Sequence, residues 1–435
     1  MSALSDASAR LLGLHDQLTA RGGDALTELR QNGRDQFAAL GLPHTKLEEW
    51  HYTNLAPLAK LRFALPEPRE ISRADLESAA FPVFACSLHV FVDGFYDPAL
   101  SALGSGAELR VESLARLSAG PRTGAAAELG TLVDSKLHPF AALNTALLED
   151  GAIVRVPRGS RVAEPLHVVF VSTGARVVRS PRMLIVAEAD SQVCVIQDHV
   201  SLGGESGLSN AVTEVRVGPN AQVDCITLQR DDDDGFLISN LAAQVERGGR
   251  FDSSVLTFSG CLVRNDLVVN LVGEGAETRI NGLFIGGGTR LIDNHTLVDH
   301  AVPHCSSRQL YKGVLGGRSR GVFRGRVLVR PDAQKTWAEQ SNPNLLLSRT
   351  AEINTKPQLE IRADDVKCSH GSSIGRLRED ALFYLRSRGV GEREARELVT
   401  RGFAREVLDA LPVEALREGL EETLETSLAE AARGE

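Results

Sequence analysis

The chain has 435 residues, 43% of them hydrophobic and 24% charged, with a formal net charge of −9. At roughly 100 to 200 residues per domain this length predicts two to four packed units, and the acidic balance excludes nucleic acid as the main partner, because phosphate recognition needs a basic face. The longest apolar runs, such as "LHVVFV" (166–171), fall far short of the ~18 residues of a membrane span.

The start, "MSALSDASARLLGLHDQLTA", carries acids and lacks the basic and apolar regions of a secretory signal. Six cysteines (86, 194, 225, 261, 305 and 368) are scattered without framework spacing, which fits reduced thiols in a cytoplasmic protein.

Residues 1–80 read as an N-terminal helical domain. Leu11, Leu12, Leu14 and Leu18, then Ala25, Leu26, Leu29, Phe37 and Ala38, recur near helical spacing until Pro43 stops the pattern. Residues 81–150 form a mixed α/β connecting segment. In it "SLHVFVDGFYD" is a strand with an Asp93-Gly94 turn, and "HPFAALNTALLED" is helical.

From 151 to 368 the texture changes to short β-rich runs with an internal repeat: a strand end, a Gly/Pro/acid turn, a small residue, then a new strand. Copies begin at 156 ("VPRGSRV"), 186, 217 ("VGPNAQV"), 245, 272 and 329 ("VRPDAQK"). The last gap spans two units, with one degenerate copy between. A period near 28 without helix signals predicts a solenoid of stacked parallel coils, whose sharp corners need residues that tolerate positive φ or fix it. A β-sandwich, with turns every 8 to 12 residues, is the competing reading.

Residues 369–435 read as a C-terminal helical domain. Gly389 caps its first helix. In "GEREARELVTRGFAREVLDAL", Ala395, Leu398, Val399, Phe403 and Val407 form one apolar stripe. Gly402 there costs about 1 kcal/mol relative to Ala, which predicts close packing at that point. Leu416, Leu420, Leu424 and Leu428 give the last helix a regular ridge, core or docking surface.

Several motifs carry little. No P-loop, Cys-x2-Cys or His-Glu-x2-His occurs. Gly317–Gly321 matches Gly-x-Ser-x-Gly, but strand-like sequence follows where a nucleophile elbow needs a helix. Asp231–Asp234 is contiguous, unlike a calcium loop. Arginines 318, 320, 324 and 326 alternate along a strand, either as a charged edge or as a surface for an acidic partner. In "HAVPHC", Pro303 removes the helical geometry that would pair His300 with His304 beside Cys305, so ordinary solenoid packing is expected.

"DDVKCSHGSS" (364–373) is the exception. Strand alternation puts Val366, Cys368 and His370 on one face, with Lys367 on the other, and about 6.6 Å between the Cys368 and His370 Cα atoms. A thiol and an imidazole so placed would converge on one soft metal ion or cluster edge, yet such sites need four ligands. Spacing alone leaves two readings open: half of a metal site, or a satisfied strand-end pair.

The stretch "NTKPQLEIRADDVKCSHGSSIGRLREDALFYLRSRGV" (354–390), preceded by "AQKTWAEQSNPNLLLS" (333–348), resembles the core and C-terminal signature of the SufB/SufD family of iron–sulfur cluster assembly proteins. "LEEWHYTNL" (47–55) looks like the SufD branch, and His370, between Ser369 and Gly371, lacks the acid flanks seen in SufB. Arg362 departs from the aromatic common among relatives.

The resemblance implies a mainly β protein, a right-handed parallel β-helix between helical domains. It implies a non-enzymatic scaffold component that pairs with a SufB-like paralogue through the β-helix. Cys368 and His370 match interface positions where a transient iron–sulfur cluster is held jointly with that partner. The C-terminal helices, with Phe383, Tyr384, Leu385, Arg386 and Arg388, would receive a SufC-like ATPase, and deleting residues 376–435 is expected to abolish that capture while the solenoid still pairs with the SufB-like partner. Some family complexes are proposed to bind a reduced flavin, and an isolated chain would form a homodimer through the same seam; the residues decide neither point.

A β-helix carbohydrate-active enzyme or binding protein is the alternative. Only 5% aromatic residues, with Trp50 and Trp337 the two tryptophans, argue against its stacking groove.

Overall fold

The computed structural model describes residues 3–22, 24–80, 86–102, 109–116, 127–174 and 176–433. Helices α1 (Ala3–Thr19), α2 (Thr27–Leu40), α3 (Ala56–Ala59) and α4 (Arg73–Ala79) come first. Strands β1 (Ser87–Val92), β2 (Phe95–Ala102) and β3 (Arg110–Ser113), helix α5 (Pro139–Ala146) and strand β4 (Ala152–Val156) follow. Asp93 and Gly94, both at positive φ, turn the β1–β2 hairpin as the sequence predicts.

The solenoid continues with β5 (Leu166–Ser172), β6 (Val178–Arg179), β7 (Arg182–Ala187), β8 (Gln192–Ser201), β9 (Leu208–Val217), β10 (Gln222–Arg230), β11 (Phe236–Val245) and β12 (Arg250–Thr257). Then come β13 (Leu262–Leu271), β14 (Glu277–Gly286), β15 (Leu291–His300), β16 (Ser306–Leu315), β17 (Arg320–Val329), β18 (Trp337–Leu346), β19 (Glu352–Ile361) and β20 (Lys367–Gly375). Helices α6 (Glu379–Ser387), α7 (Glu392–Asp409) and α8 (Glu414–Ala432) follow.

Successive strands alternate between two ten-stranded sheets, one ordered β2-β1-β5-β8-β10-β12-β14-β16-β18-β20 and the other β19-β17-β15-β13-β11-β9-β7-β4-β3 with β6 beside β9. Every pairing of the named strands is parallel except the β1–β2 hairpin and the antiparallel β3–β4 contact. This is the predicted parallel solenoid, not a sandwich. Much of the lumen is an apolar stack of every second residue, including Val193, Val223, Phe251, Val245, Leu271 and Val298. Each such fully buried side chain contributes roughly 1.5–3 kcal/mol.

The corners explain the repeat. Gly159, Asp190, Asn220, Gly248, Gly275, His304 and Lys335 all take positive φ. Each is followed by a small residue; Ser191, Ala221, Ala276, Cys305 and Thr336 are buried. The corners also tie coil to coil, as Asn220 N–H donates to Arg247 O and His304 N–H to Gln334 O, both at 2.9 Å. The degenerate copy is therefore "VPHCS", with His304 in the left-handed position that Gly, Asn, Asp or, at the next corner, Lys335 fills elsewhere.

Parallel sheets need cover on both faces. The N-terminal helices and α5 supply it on one side, where Leu11, Leu14, Phe37, Trp50 and Phe140 pack with Leu208, Phe236, Ile238 and Leu262. On the other side α7 and α8 bury Ala404, Val407, Leu416, Leu420 and Leu424 against Ile226, Leu256, Leu283 and Val314. A Cβ on Gly316 would lie 1.8 Å from the Ala431 carbonyl oxygen, so glycine is what lets α8 seat on that corner.

Several expectations change. The last solenoid strand runs to Gly375, beyond the boundary drawn at 368, and β1–β3 of the connecting segment join the solenoid sheets. The boundary at 80/81 adjoins residues 81–85, outside the described residues. The α7 stripe holds in part: Ala395 and Val407 are buried and Val399 and Phe403 are half-buried against the same core, joined by buried Thr400, Ala404 and Leu408, whereas Leu398 is exposed. Gly402 has nothing near its would-be Cβ, so close packing there is not found. The leucine ridge of α8 is core. Because these helices cover an apolar sheet face, residues 376–435 are part of the folded unit rather than a separable module.

Candidate functional site

β19 and β20 are the terminal strands of the two sheets, each with a described partner on one side only, β17 and β18 respectively. This end of the solenoid is open. Its outer edges carry backbone N–H and C=O groups, and Ile361 and Ile374 are exposed there.

Register sets what the last rung offers. Cys368 pairs with Ala338 and His370 with Gln340. Tracing back, the Cys368 row runs through Ala338, Ser307, Thr278 and Phe251, and the His370 row through Gln340, Gln309, Ile280, Ser253 and Cys225. Both rows are lumen-facing, so the thiol and the imidazole belong to the interior face of a coil that no described strand covers.

Cys368 is half-buried against Val327, Val329, Ala333, Ala338 and Ala363. Burial pushes its thiol pKa up, only partly countered by a backbone hydrogen bond from Ala338, so the free chain holds a thiol rather than a thiolate. Lys367 sits on the outer face in the Trp337 row and does not offset this. His370 is exposed.

Among the described residues, no three His, Cys, Asp or Glu side chains gather as a metal site would need. The "HAVPHC" residues separate: His300 is buried with Nε2 2.8 Å from Ser307 Oγ, His304 points outward near Glu274, and Cys305 enters the core. Ser319 is a corner residue whose Oγ donates to Gly316 O and Gly286 O. Burial also raises the pKa values of Cys194, Cys225 and Cys261. The alternating arginines find acids within the chain, Arg320 with Glu352, Arg324 with Glu48 and Glu49, and Arg326 with Glu360.

On α6, Phe383 and Tyr384 are 73% and 58% exposed, with Arg388 over the Tyr384 ring. Arg386 pairs with Glu392, whereas Leu385 turns inward to the helical core.

Two features escaped the sequence reading. The first is a chain of amides in the lumen below the open rung: Gln340 Nε2 donates to Gln309 Oε1 and Gln309 Nε2 to Thr296 Oγ1, both at 2.6 Å. Beside it Thr355 Oγ1 and Asn344 Nδ2 both donate to Asn342 Oδ1. The second is the role of "LEEWHYTNL". Glu49, Trp50 and Thr53 close over a buried cluster of Arg264, Asp266, Asp293 and His295.

The fold and this end define a class: a parallel β-solenoid with a cysteine and a histidine on one face of its last described rung. Residues 170–403 match the family model "SUF system FeS cluster assembly, SufBD core domain", and residues 13–168 match "SufBD protein N-terminal region". The chain belongs to the SufBD family of iron–sulfur cluster assembly proteins.

It is 34% identical over 403 residues to an iron–sulfur cluster assembly SufBD family protein of Synechocystis, covering 90% of this chain and 89% of that one. It is homologous to the iron–sulfur cluster assembly protein SufD of Escherichia coli, 32% identical with 96% of each chain covered, and to SufD of Bacillus subtilis, 30% identical with 68% of each covered. Among the described residues no helix is long and apolar enough to cross a membrane.

Proposed function

We propose that this chain is one half of a non-enzymatic scaffold on which an iron–sulfur cluster is built. A SufB-like paralogue closes the open end of the solenoid by pairing with the β19 and β20 edges. Cys368 and His370 then supply two ligands to a nascent cluster, and the partner supplies the rest. The cluster is cargo, held transiently in the cytosol. A SufC-like ATPase docks on the C-terminal helices, where Phe383, Tyr384 and Arg388 form the exposed offer.

The observation that carries this reading is the position of Cys368 and His370 on the last, uncovered rung. A catalytic groove would sit along the outer face of the coils; here the soft ligands stand at the end, where only another chain can complete them. Approach of iron or a partner cation favours the Cys368 thiolate that burial disfavours in the free chain.

Cys368→Ala and His370→Ala should each leave folding intact and cut iron and sulfide on the complex co-expressed with SufB-like and SufC-like partners. Normal metal content in both variants would refute the shared site. Phe383→Ala with Tyr384→Ala should lose the ATPase and keep the paralogue. That pair of changes replaces deletion of 376–435, which would bare the apolar sheet face under α7 and α8.

A further inference from the structure

The amide chain behind the open rung has a direction. Gln309 donates to Thr296 and Gln340 donates to Gln309, so each group gives a proton backwards and accepts from the rung ahead. Gln340 is 2% exposed, and its Oε1 is buried with no hydrogen-bond partner. An orphaned carbonyl of this kind costs about 1–3 kcal/mol. Space for the side chain comes from Gly325 across the lumen, where a Cβ would lie 2.1 Å from Gln340 Nε2.

The next rung is His370, in direct register with Gln340, at the roughly 4.8 Å spacing of adjacent strands. We propose that Gln340 is a positioning residue for His370: its buried Oε1 accepts the imidazole N–H when a partner covers the rung, which turns the other ring nitrogen toward the seam.

The continuity of the chain supports this. A neutral imidazole carries one N–H and one lone pair, and donation to Gln340 selects the tautomer whose lone pair faces outward. Ligand histidines are ordinarily fixed in this way by a second hydrogen bond. Cys368, two residues earlier on the same strand face, has Ala338 behind it, whose backbone hydrogen-bonds the thiol, so the two ligands differ: a side-chain acceptor orients the imidazole and a backbone group meets the thiol.

The inference rests on the shared-site reading, and the test separates the two. Parent, His370→Ala, Gln340→Met and Gln340→Glu chains are each co-expressed with SufB-like and SufC-like partners, and iron and sulfide are measured from pH 6 to 9. Gln340→Met keeps the volume and removes the acceptor; loading should fall about tenfold or more, with partner pairing retained. Gln340→Glu keeps an acceptor and adds a charge that favours imidazolium, which cannot ligate; the acid limb of loading should move up by about one pH unit. If His370→Ala loads normally, the shared site fails. If His370→Ala abolishes loading while both Gln340 variants match the parent in amount and pH profile, the site stands and Gln340 is only a packing residue.

Discussion

The guanidinium carbon of Arg264 lies 3.9 Å from the ring centroid of Trp50, and this contact joins the N-terminal segment to the solenoid. Arg264 also donates to Glu49 O at 2.8 Å, to Asp293 at 2.7 Å and through two nitrogens to Asp266. Trp50 in turn stacks on Phe140, 5.5 Å between centroids. Truncating Trp50 removes a buried aromatic and uncovers a buried charge cluster. Trp50→Ala should cost about 3–5 kcal/mol in urea unfolding, and Trp50→Phe should recover most of it. A loss below about 1 kcal/mol would show that the motif does not hold the N-terminal helices.

The same cluster makes stability depend on pH at both ends. Burial alone would lower the His295 pKa, but Asp293, whose Oδ1 is 2.9 Å from Nε2, outweighs it and the pKa is pushed up to about 9. Burial alone would raise Asp293, but Arg264 and then His295 hold it down to about 2.

A raised histidine pKa gives stability that is fully present below its unfolded value of about 6.5 and lost as pH rises through about 9. A depressed aspartate pKa gives stability present above about 4 and lost as pH falls towards about 2. The melting temperature should therefore decline between pH 7 and 9, and His295→Gln should flatten that alkaline limb while leaving an acid limb. An unchanged alkaline limb in His295→Gln would place the charge elsewhere.

His304 tests the corner assignment against the ligand reading of "HAVPHC". Its φ is 61° and its side chain is exposed. Glycine relieves a left-handed strain of about 1–2 kcal/mol but adds freedom to the unfolded chain worth about 0.4–1 kcal/mol. His304→Gly should thus leave stability unchanged or raise it by up to about 1.6 kcal/mol, and leave iron loading of the complex untouched. His304→Val, a β-branched residue at the same φ, should cost about 2 kcal/mol or more. Reduced loading in His304→Gly at normal stability would restore the ligand reading.

Much of this was legible because corners are chemically loud. Gly159, Asn220, Gly248 and Gly275 belong to residue types that tolerate positive φ, so a period near 28 stands out even without an alignment. His304 hid one copy because histidine is not a usual corner residue. Strand alternation alone put Cys368 and His370 on one face.

The lumen amides were illegible for the opposite reason. In "WAEQSNPNLL" the inward positions are Ala338, Gln340, Asn342 and Asn344, so the buried face is mostly polar and no hydrophobic pattern marks it. The buried stripe of α7 was legible only in part because Thr400 and Ala404, small or polar, pack inward while the larger Leu398 faces out. Which sheet face a helix meets is a tertiary fact, absent from its own periodicity.

Gly402 gives the exposed edge of that stripe a direct check. It lies within α7, is exposed, and a Cβ there would meet no atom within 4 Å. A glycine at such a position forfeits about 1 kcal/mol of helix propensity relative to alanine. Gly402→Ala should raise the stability of the isolated chain by about that amount, measured as a higher urea midpoint at an unchanged slope. Leu398 lies one helical turn before position 402, and had that side of α7 been packed as the predicted stripe requires, an added methyl would meet neighbouring atoms. A destabilised Gly402→Ala variant would therefore return the glycine to a buried contact, and a stabilised one leaves that side of the helix facing solvent.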